Sequence, residues 1–235
     1  MNRLVHRPAQ AQGEGGDDPA AVDAAGGRGA GRTHDPQRTM ADIVEAAMRE
    51  FADKGLAGAR VDEIARATRT SKRMIYYYYG SKEGLYVAVL EEAYRRMRSI
   101  EADLQLQGLD PEAALRRLVA FTVDYQWAHP EFIRLVMTEN IHGGAYLRSS
   151  PSIQALNVPA IDGLRSVYER GVAQGVFRPG IDPVDLHMSI SALSVFNVAN
   201  RHTFSLIFAR DMESPQALQA RRDSVVEMIV RFLRA

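Results

Sequence analysis

Proline recurs along this chain where long helical patterns begin, and this arrangement constrains the fold more than any other feature of the sequence. Proline fits the first turn of an α-helix, where no backbone N–H donor is needed, and it disrupts helix interiors and central strands. The stretches that follow are mostly about 15–25 residues long and lack strand-like alternation. We therefore predict an all-α fold. The prolines concerned are Pro36, Pro111, Pro130, Pro151, Pro183 and Pro215.

Four helical segments precede Pro111. The first begins at Asp35-Pro36, where aspartate can cap the helix, and ends at Gly55. The second is short, the third begins near Ser71, and Gly80-Ser81 separates the third from the fourth. Apolar residues at helical spacing mark the inner faces. They are Met40, Ile43, Val44, Ala47 and Phe51, then Val61, Ile64 and Ala65, then Ile75 and Tyr79, then Leu85, Val89, Tyr94 and Met97.

A short helix, a tight break and a second short helix within residues 61–85 are typical of a helix-turn-helix. The second helix of such a unit can enter the major groove of DNA. The formal net charge is zero, so bulk charge does not argue for a nucleic-acid partner. The local charge does, because basic residues without an acidic one form a surface for phosphates. From residue 66 to residue 82 the charged residues are Arg66, Arg69, Lys72, Arg73 and Lys82.

Composition and motifs exclude several classes of protein. The chain has no cysteine, which excludes disulfides, thiol catalysis and cysteine-based zinc sites. His142 and His202 are too isolated to suggest a metal, and we expect neither a metal nor a cofactor. Residues 186–200 are too polar to span a membrane and residues 1–12 lack a secretory signal, so we expect a cytoplasmic protein without membrane contact. No nucleophile elbow, P-loop, dinucleotide-binding or HExxH motif is present, and we expect no enzyme.

The N-terminal 34 residues differ from the rest of the chain. They are rich in glycine and alanine, so burial of apolar surface cannot offset the entropy lost on ordering them. We predict a disordered tail over residues 1–34, with at most an accessory role on DNA for Arg28 and Arg32. We assign residues 35–82 to a helix-turn-helix DNA-binding domain and residues 83–235 to a helical ligand-binding and dimerisation domain.

The order of residues in the first helices resembles the DNA-binding domain of the TetR (tetracycline repressor) family. The similar stretch covers roughly residues 37–90, and several fixed spacings agree at once. The body resembles the family in its helical plan and in the Gly-Val-Phe-Arg-Pro turn at residues 175–179. The matching positions are Ile43-Val44-Glu45-Ala46-Ala47, Phe51, Gly55, Ile64-Ala65, Ser71-Lys72, Ile75-Tyr76, Tyr79, Ser81-Lys82-Glu83 and Leu85.

Three positions depart from the family pattern. At Arg69 the family usually has a glycine, which takes left-handed backbone easily, whereas arginine there costs about 1 kcal/mol. At Arg60 the family often has threonine, which can cap the helix and contact a phosphate, and arginine can do only the second. At Tyr78 the family often has histidine, and tyrosine does not titrate near neutral pH.

The resemblance and the helical geometry together imply roles at a DNA surface. Ile75 and Tyr79 face inward and are structural. Lys72, Arg73 and Tyr77 lie on the outer side of the reading helix and are predicted to contact base edges, since arginine and lysine most often bind guanine. The predicted phosphate contacts, which position the protein without reading the sequence, are Arg60, Arg69, Thr70, Ser71, Tyr76, Tyr78 and Lys82.

The resemblance also implies a homodimer formed through the last two helices. Two amphipathic helices from each subunit would build a four-helix bundle across a two-fold axis. The apolar residues predicted to form this interface, with an intrachain core as the alternative, are Leu186, Ile190, Leu193, Val198, Leu218, Val225, Ile229 and Leu233.

A small-molecule effector is the other partner that the resemblance implies. Ligand pockets have apolar walls with a few polar groups, so aromatic and polar side chains on apolar helices are the candidates. They are Phe121, Tyr125, Trp127, Met137, Asn140, His142, Tyr168, Phe196, Asn197 and Asn200.

The function that these observations favour is a repressor that leaves a double-stranded palindromic operator when an effector binds. Repression rather than activation is implied by the resemblance alone. The alternatives are a helix-turn-helix regulator gated by a protein partner, and a helical enzyme without a familiar motif.

Overall fold

The computed structural model describes residues 35–235, and their regular secondary structure is helical, without a β-strand. The predicted all-α fold is confirmed. The predicted tail, with Arg28 and Arg32, lies outside the described residues. No helix within residues 35–235 is long and apolar enough to cross a membrane. The helices are α1 (Pro36–Gly58), α2 (Val61–Thr68), α3 (Lys72–Tyr79), α4 (Lys82–Ala102), α5 (Pro111–Ala128), α6 (Pro130–Ile141), α7 (Pro151–Ala173), α8 (Pro183–Ala199), α9 (Arg201–Ile207) and α10 (Pro215–Leu233).

Each predicted proline start is confirmed, because a proline occupies the first turn of α1, α5, α6, α7, α8 and α10. The preceding side chain caps most of these helices. The Asp35 carboxylate, for example, accepts from the N–H of Gln37 at 3.0 Å, and that of Asp182 from Val184 at 2.7 Å. The rule does not cover Pro159, which lies inside α7. Proline has no N–H, so this helix lacks one of its internal hydrogen bonds there.

Two apolar cores hold the helices together. The first joins α1–α4 to α6 and includes the fully buried Ile43, Phe51, Ile75 and Tyr86. The Phe51 and Tyr86 rings meet edge to face at a centroid distance of 5.1 Å. Helix α6 thus packs in the same core as α1 and α4 and lies directly against α1.

The second core is formed by α5, α7, α8 and α10. Phe177, from the Gly-Val-Phe-Arg-Pro turn, enters it against Gly171, where a Cβ atom would lie 1.9 Å from the Phe177 ring. The turn also holds the C-terminus, since the Arg178 N–H donates to the Leu233 carbonyl at 2.8 Å. The turn thus has a structural role, and glycine is required at position 171.

The residues predicted for the dimer interface require a correction. Most of them are buried inside the single chain, where they form the second core or, for Val198, join the first. A side chain that is already enclosed cannot meet a partner. The buried ones are Leu186, Ile190, Val198, Val225, Ile229 and Leu233, while Leu193 and Leu218 are half-buried.

A different set of side chains on α8 and α10 faces outward. At a spacing of four residues, each helix presents an exposed row that runs along its length. Met188 on α8 is 62% exposed and Phe232 on α10 is 47% exposed. We call these rows the exposed stripes. They consist of Val184, Met188, Ala192 and Phe196 on α8, and Ala220, Ser224, Met228 and Phe232 on α10.

Candidate nucleic-acid interface

The connection between α2 and α3 is a tight turn centred on one residue. Arg69 adopts left-handed backbone at φ 53° and ψ 30°, as expected for the position where glycine is usual. The Thr70 N–H then donates to the Ala65 carbonyl at 3.1 Å. The Ser71 hydroxyl accepts from the Met74 N–H at 3.2 Å and caps α3. The helix-turn-helix therefore forms despite the strain that arginine introduces at the turn.

The inner face of α3 is attached to the first core at two points. Ile75 is fully buried. The Tyr79 hydroxyl donates to the Met40 carbonyl of α1 at 3.0 Å. Burial raises the pKa of Tyr79 to about 12, so the hydroxyl keeps its proton at neutral pH and remains a donor. The predicted inward roles of Ile75 and Tyr79 agree with these positions.

The outer face of α3 is open to solvent. Lys72, Arg73, Tyr76 and Tyr77 are exposed, and Tyr77 is 77% exposed. Tyr78 differs from its neighbours because it is half-buried and packs against the first core. This face presents two cations and two phenol groups on one helix, a combination that can form hydrogen bonds with base edges and phosphates.

Ion pairs distinguish the basic residues around this surface. Lys72 Nζ lies 3.2 Å from a carboxylate oxygen of Asp62, and Arg66 lies 2.5 Å from Glu63. Glu63 and Arg66 lie one turn apart on α2, whereas the fold brings Asp62 of α2 alongside Lys72 of α3. Arg69 and Arg73, by contrast, have no carboxylate partner within residues 35–235. The guanidinium groups of Arg69 and Arg73 can therefore bind an anion without first displacing a carboxylate.

Two further predicted contacts lie at the end of α1. Lys82 Nζ donates to the Ala57 carbonyl at 3.3 Å. The Arg60 backbone N–H donates to Glu50 at 3.0 Å, and the Arg60 side chain does not cap α2. The ammonium group of Lys82 is thus held beside the helix-turn-helix, where it keeps further donors for a phosphate.

Comparison with known proteins gives the same assignment for both halves of the chain. Residues 43–89 match the model of bacterial regulatory proteins of the tetR family, and residues 111–229 match the tetracyclin repressor-like C-terminal domain. The chain belongs to the TetR family. The resemblance found in the sequence is confirmed, and this TetR-family protein is a DNA-binding transcriptional regulator with a helix-turn-helix.

Two named relatives agree with this assignment, and a solved structure shares the fold. The HTH-type transcriptional repressor NicS of Pseudomonas putida is 39% identical over 203 residues, which is 86% of this chain and 96% of NicS. The HTH-type transcriptional repressor SCO4008 of Streptomyces coelicolor is 39% identical over 139 residues, or 59% of this chain and 69% of SCO4008. A tetR-family regulatory protein from Rhodococcus RHA1 superposes with a TM-score of 0.66 at 20% identity, over 84% of this chain and 98% of that one.

The ten predicted ligand residues of this TetR-family body are distributed over several places. Phe196 and Asn197 line one cavity, between α8, α9 and α10, whereas Phe121 lines a groove between α5 and α10. Tyr168 is a core residue whose hydroxyl donates to the Arg178 carbonyl and accepts from the Ile181 N–H, both at 2.9 Å. Asn200 ends α8 and donates to the Phe196 carbonyl at 3.2 Å.

The other predicted ligand residues lie near α6 and the end of α5. Tyr125 is buried in the first core, and burial raises its pKa to about 12. Trp127 is half-buried, and the Arg201 guanidinium lies 5.6 Å from its ring. The remaining three, on or just after α6, are exposed: Met137, Asn140 and His142.

Helix α4 connects the DNA-reading helices to the body. It begins directly after α3 and pairs with α1 through Arg96 and Glu45 at 2.8 Å. A second ion pair, between Arg134 of α6 and Asp53 of α1 at 2.7 Å, joins the body to α1. Helix α1 therefore contacts both α4 and α6.

A cavity that sequence reasoning missed lies at the far end of α4. It has a volume of about 180 Å³ between α4, α5 and α7, with Leu118, Leu156 and Pro159 among its apolar walls. Arg98 lines it, forms an ion pair with Glu101, and donates from Nε to Asn157 at 2.9 Å. Burial and, secondarily, the positive charge of Arg98 lower the pKa of His187 on α8. In the sequence, Arg98 and Glu101 have the spacing of an ordinary surface pair, and only the position of α7 encloses them.

Proposed function

We propose that the protein is a homodimeric repressor that binds a palindromic operator and is released by a small-molecule effector. The observation that carries the proposal is the outer face of α3, where two cations and two phenol groups are exposed on a helix whose inner face is anchored by Ile75 and Tyr79. The relatives that are named repressors support repression over activation.

The proposed base contacts are Arg73 and Tyr77, together with Lys72 once DNA competes with Asp62. Arginine and lysine are suited to guanine, and Tyr77 extends furthest into solvent. The proposed phosphate contacts lie before α2, in the turn before α3, on α3 itself and at the start of α4. They are Arg60, Arg69, Thr70, Ser71, Tyr76, Tyr78 and Lys82.

The proposed dimer forms through the exposed stripes. Each stripe combines small residues with methionine and phenylalanine, and α8 packs against α10 in the same subunit. Two such pairs related by a two-fold axis give a four-helix bundle. The α3 helices of the two subunits then face successive major grooves, which requires half-sites about 34–36 Å apart or a multiple of that distance.

The proposed switch acts through α4. Arg98, Glu101 and Ala102 line the cavity at the C-terminal end of this helix, and its N-terminus follows α3. A ligand that favours one tilt of α4 changes the spacing of the two α3 helices without touching them. A coupling of about 1–3 kcal/mol changes operator affinity by roughly 5–150-fold, and operator must weaken ligand binding by the same factor.

Selection of bound duplexes from random DNA tests the proposal. We expect an enriched palindrome with the half-site spacing given above, protected as two equivalent halves in a footprint. A single unpaired half-site would contradict the dimeric mode of binding. A small-molecule library that neither shifts the melting temperature nor releases operator would favour a regulator gated by a protein partner instead.

A further inference from the structure

We propose that the cavity between α8, α9 and α10 binds a small organic anion with an apolar body, and that the second subunit closes it. The closure rests on the dimer proposed above. The anion site itself does not depend on DNA binding or on the switch through α4.

The cavity has the size and walls of a ligand site. Its volume is about 550 Å³, within the range of about 300–1,000 Å³ that is usual for small-molecule pockets. Phe196, Phe204 and Met212 supply apolar walls, and the Phe196 and Phe204 rings meet edge to face at 5.1 Å. A flat or aliphatic body fits such walls better than a strongly hydrated one.

Two guanidinium groups give the cavity its charge. Arg210 and Arg221 both line it, and neither has a carboxylate partner within residues 35–235. Within residues 35–235 the only hydrogen bond of the Arg221 side chain is a donation to the Leu193 carbonyl at 2.9 Å. The neighbouring Arg201, in contrast, is neutralised by Glu213 at 3.1 Å. Two cations without counter-charge beside an apolar wall favour a carboxylate or a similar anion.

Asn197 provides an independent sign of a polar ligand. Its side chain is only 7% exposed, yet it lines the cavity and forms no hydrogen bond with any residue of 35–235. The amide therefore keeps a free acceptor and two free donors on the wall of the cavity. An acceptor or donor on a bound ligand, or water in its absence, satisfies this group.

The position of the cavity mouth indicates the second subunit. Phe196, Ala220 and Ser224 belong to the exposed stripes and also line the cavity. The surface that packs in the dimer is therefore continuous with the cavity wall. The aromatic contact extends further along α9, because the Phe204 and Phe208 rings lie 4.9 Å apart.

Calorimetry on the full chain without DNA tests the site. The probes are benzoate, naphthalene-2-carboxylate and decanoate, with naphthalene-2-carboxamide as the uncharged counterpart. We expect at least one carboxylate to bind and the carboxamide to bind about tenfold or more weakly, because an ionic hydrogen bond is lost. No binding of any carboxylate at millimolar concentration, or equal binding of the acid and the amide, would overturn the proposal.

Variants locate the bound anion. Arg210→Gln should weaken carboxylate binding about tenfold, since Arg210 is exposed at the rim and its replacement leaves the fold intact. Asn197→Leu should weaken it as well. Arg148→Gln, which removes an exposed guanidinium elsewhere in the body, is the matched control and should change nothing. Equal losses in Arg210→Gln and Arg148→Gln would mean that the anion binds by general charge attraction, against the proposal.

The closure has its own test. Met188→Asp places a charge in the stripe and away from the cavity wall, and it should dissociate the dimer. Carboxylate affinity should then fall about tenfold or more, while the folded subunit remains. An unchanged affinity in the monomeric variant would overturn closure by the second subunit. A carboxylate that binds this cavity but does not release the operator would show that the anion site is separate from the proposed switch through α4.

Discussion

The helix-turn-helix and the surface of α8 and α10 differ in how their sequences relate to their structures. In the first, the positions of Ser71, Ile75, Tyr79 and Ser81 predicted the local geometry and the inward face. In the second, most of the apolar residues predicted for an interface form an intrachain core, which was the alternative that the sequence left open. The difference shows that turns and helix caps can be predicted from the sequence more directly than whether an apolar face packs inside its own chain or against a second subunit.

The physical reason lies in the range of the interactions. A helix cap or a left-handed turn is decided by residues within four positions, as in the contact between Ser71 and Met74. A buried apolar face only indicates that something covers it. On α8 the two faces are both apolar, one enclosed around Leu186 and the other exposed around Met188, so periodicity alone did not assign them.

The largest effect is expected from a charge placed on the exposed face of α8. Met188→Asp should dissociate the dimer and lower operator affinity by at least about 100-fold, because an unpaired charge would be buried in the interface. Sedimentation and operator binding measure the two consequences. Asp185→Asn changes a charge on the same turn outside the stripe and should alter neither. A fully dimeric Met188→Asp would place the interface elsewhere.

A substitution on the buried face of α8, two residues before Met188, should lower stability and leave dimerisation intact. Leu186→Ala removes a fully buried side chain from the second core and should lower the free energy of unfolding by about 2–5 kcal/mol. Denaturant titration measures it, and the protein that remains folded should still dimerise. If Leu186→Ala dissociated the dimer without lowering the free energy of unfolding, Leu186 would belong to the dimer interface and not to the core.

The proposed DNA contacts on α3 and at the start of α4 should divide into residues that read bases and residues that position the protein. Arg73→Ala should relax the preference at one base pair, at a cost of about 1–3 kcal/mol there. Lys82→Ala should weaken binding to all duplexes and reduce the salt slope by about 1. Affinities for the operator and for single-base variants at several salt concentrations distinguish them. Equal losses on every duplex for both variants would contradict the division.

A smaller effect is expected at the turn. Arg69→Gly should stabilise the fold by about 1 kcal/mol, because glycine adopts left-handed backbone without strain. The same change should lower affinity for any duplex and reduce the salt slope by about 1, since one phosphate contact is lost. Thermal unfolding and salt titration give the two readouts. If Arg69→Gly were more stable but bound DNA with unchanged affinity and salt dependence, Arg69 would not be a phosphate contact.

The smallest effect is expected from removal of residues 1–34. Their composition cannot supply apolar burial, so the melting temperature and the dimerisation of the truncated chain should match those of the full chain. Calorimetric scans of the two forms make the comparison. A fall of several degrees would show that the segment contributes to the folded protein.

The sequence by itself determined the helical class, the helix starts at proline, the turn at Arg69 and the inward positions of Ile75 and Tyr79. These features depend on backbone chemistry within a few residues. Only the tertiary structure decided which face of α8 and α10 is enclosed, brought Asp62 beside Lys72, and enclosed Arg98 and Asn197 at cavities. Those outcomes depend on how helices distant in sequence pack together. The residues next to a side chain in the sequence do not determine which surface will bury it.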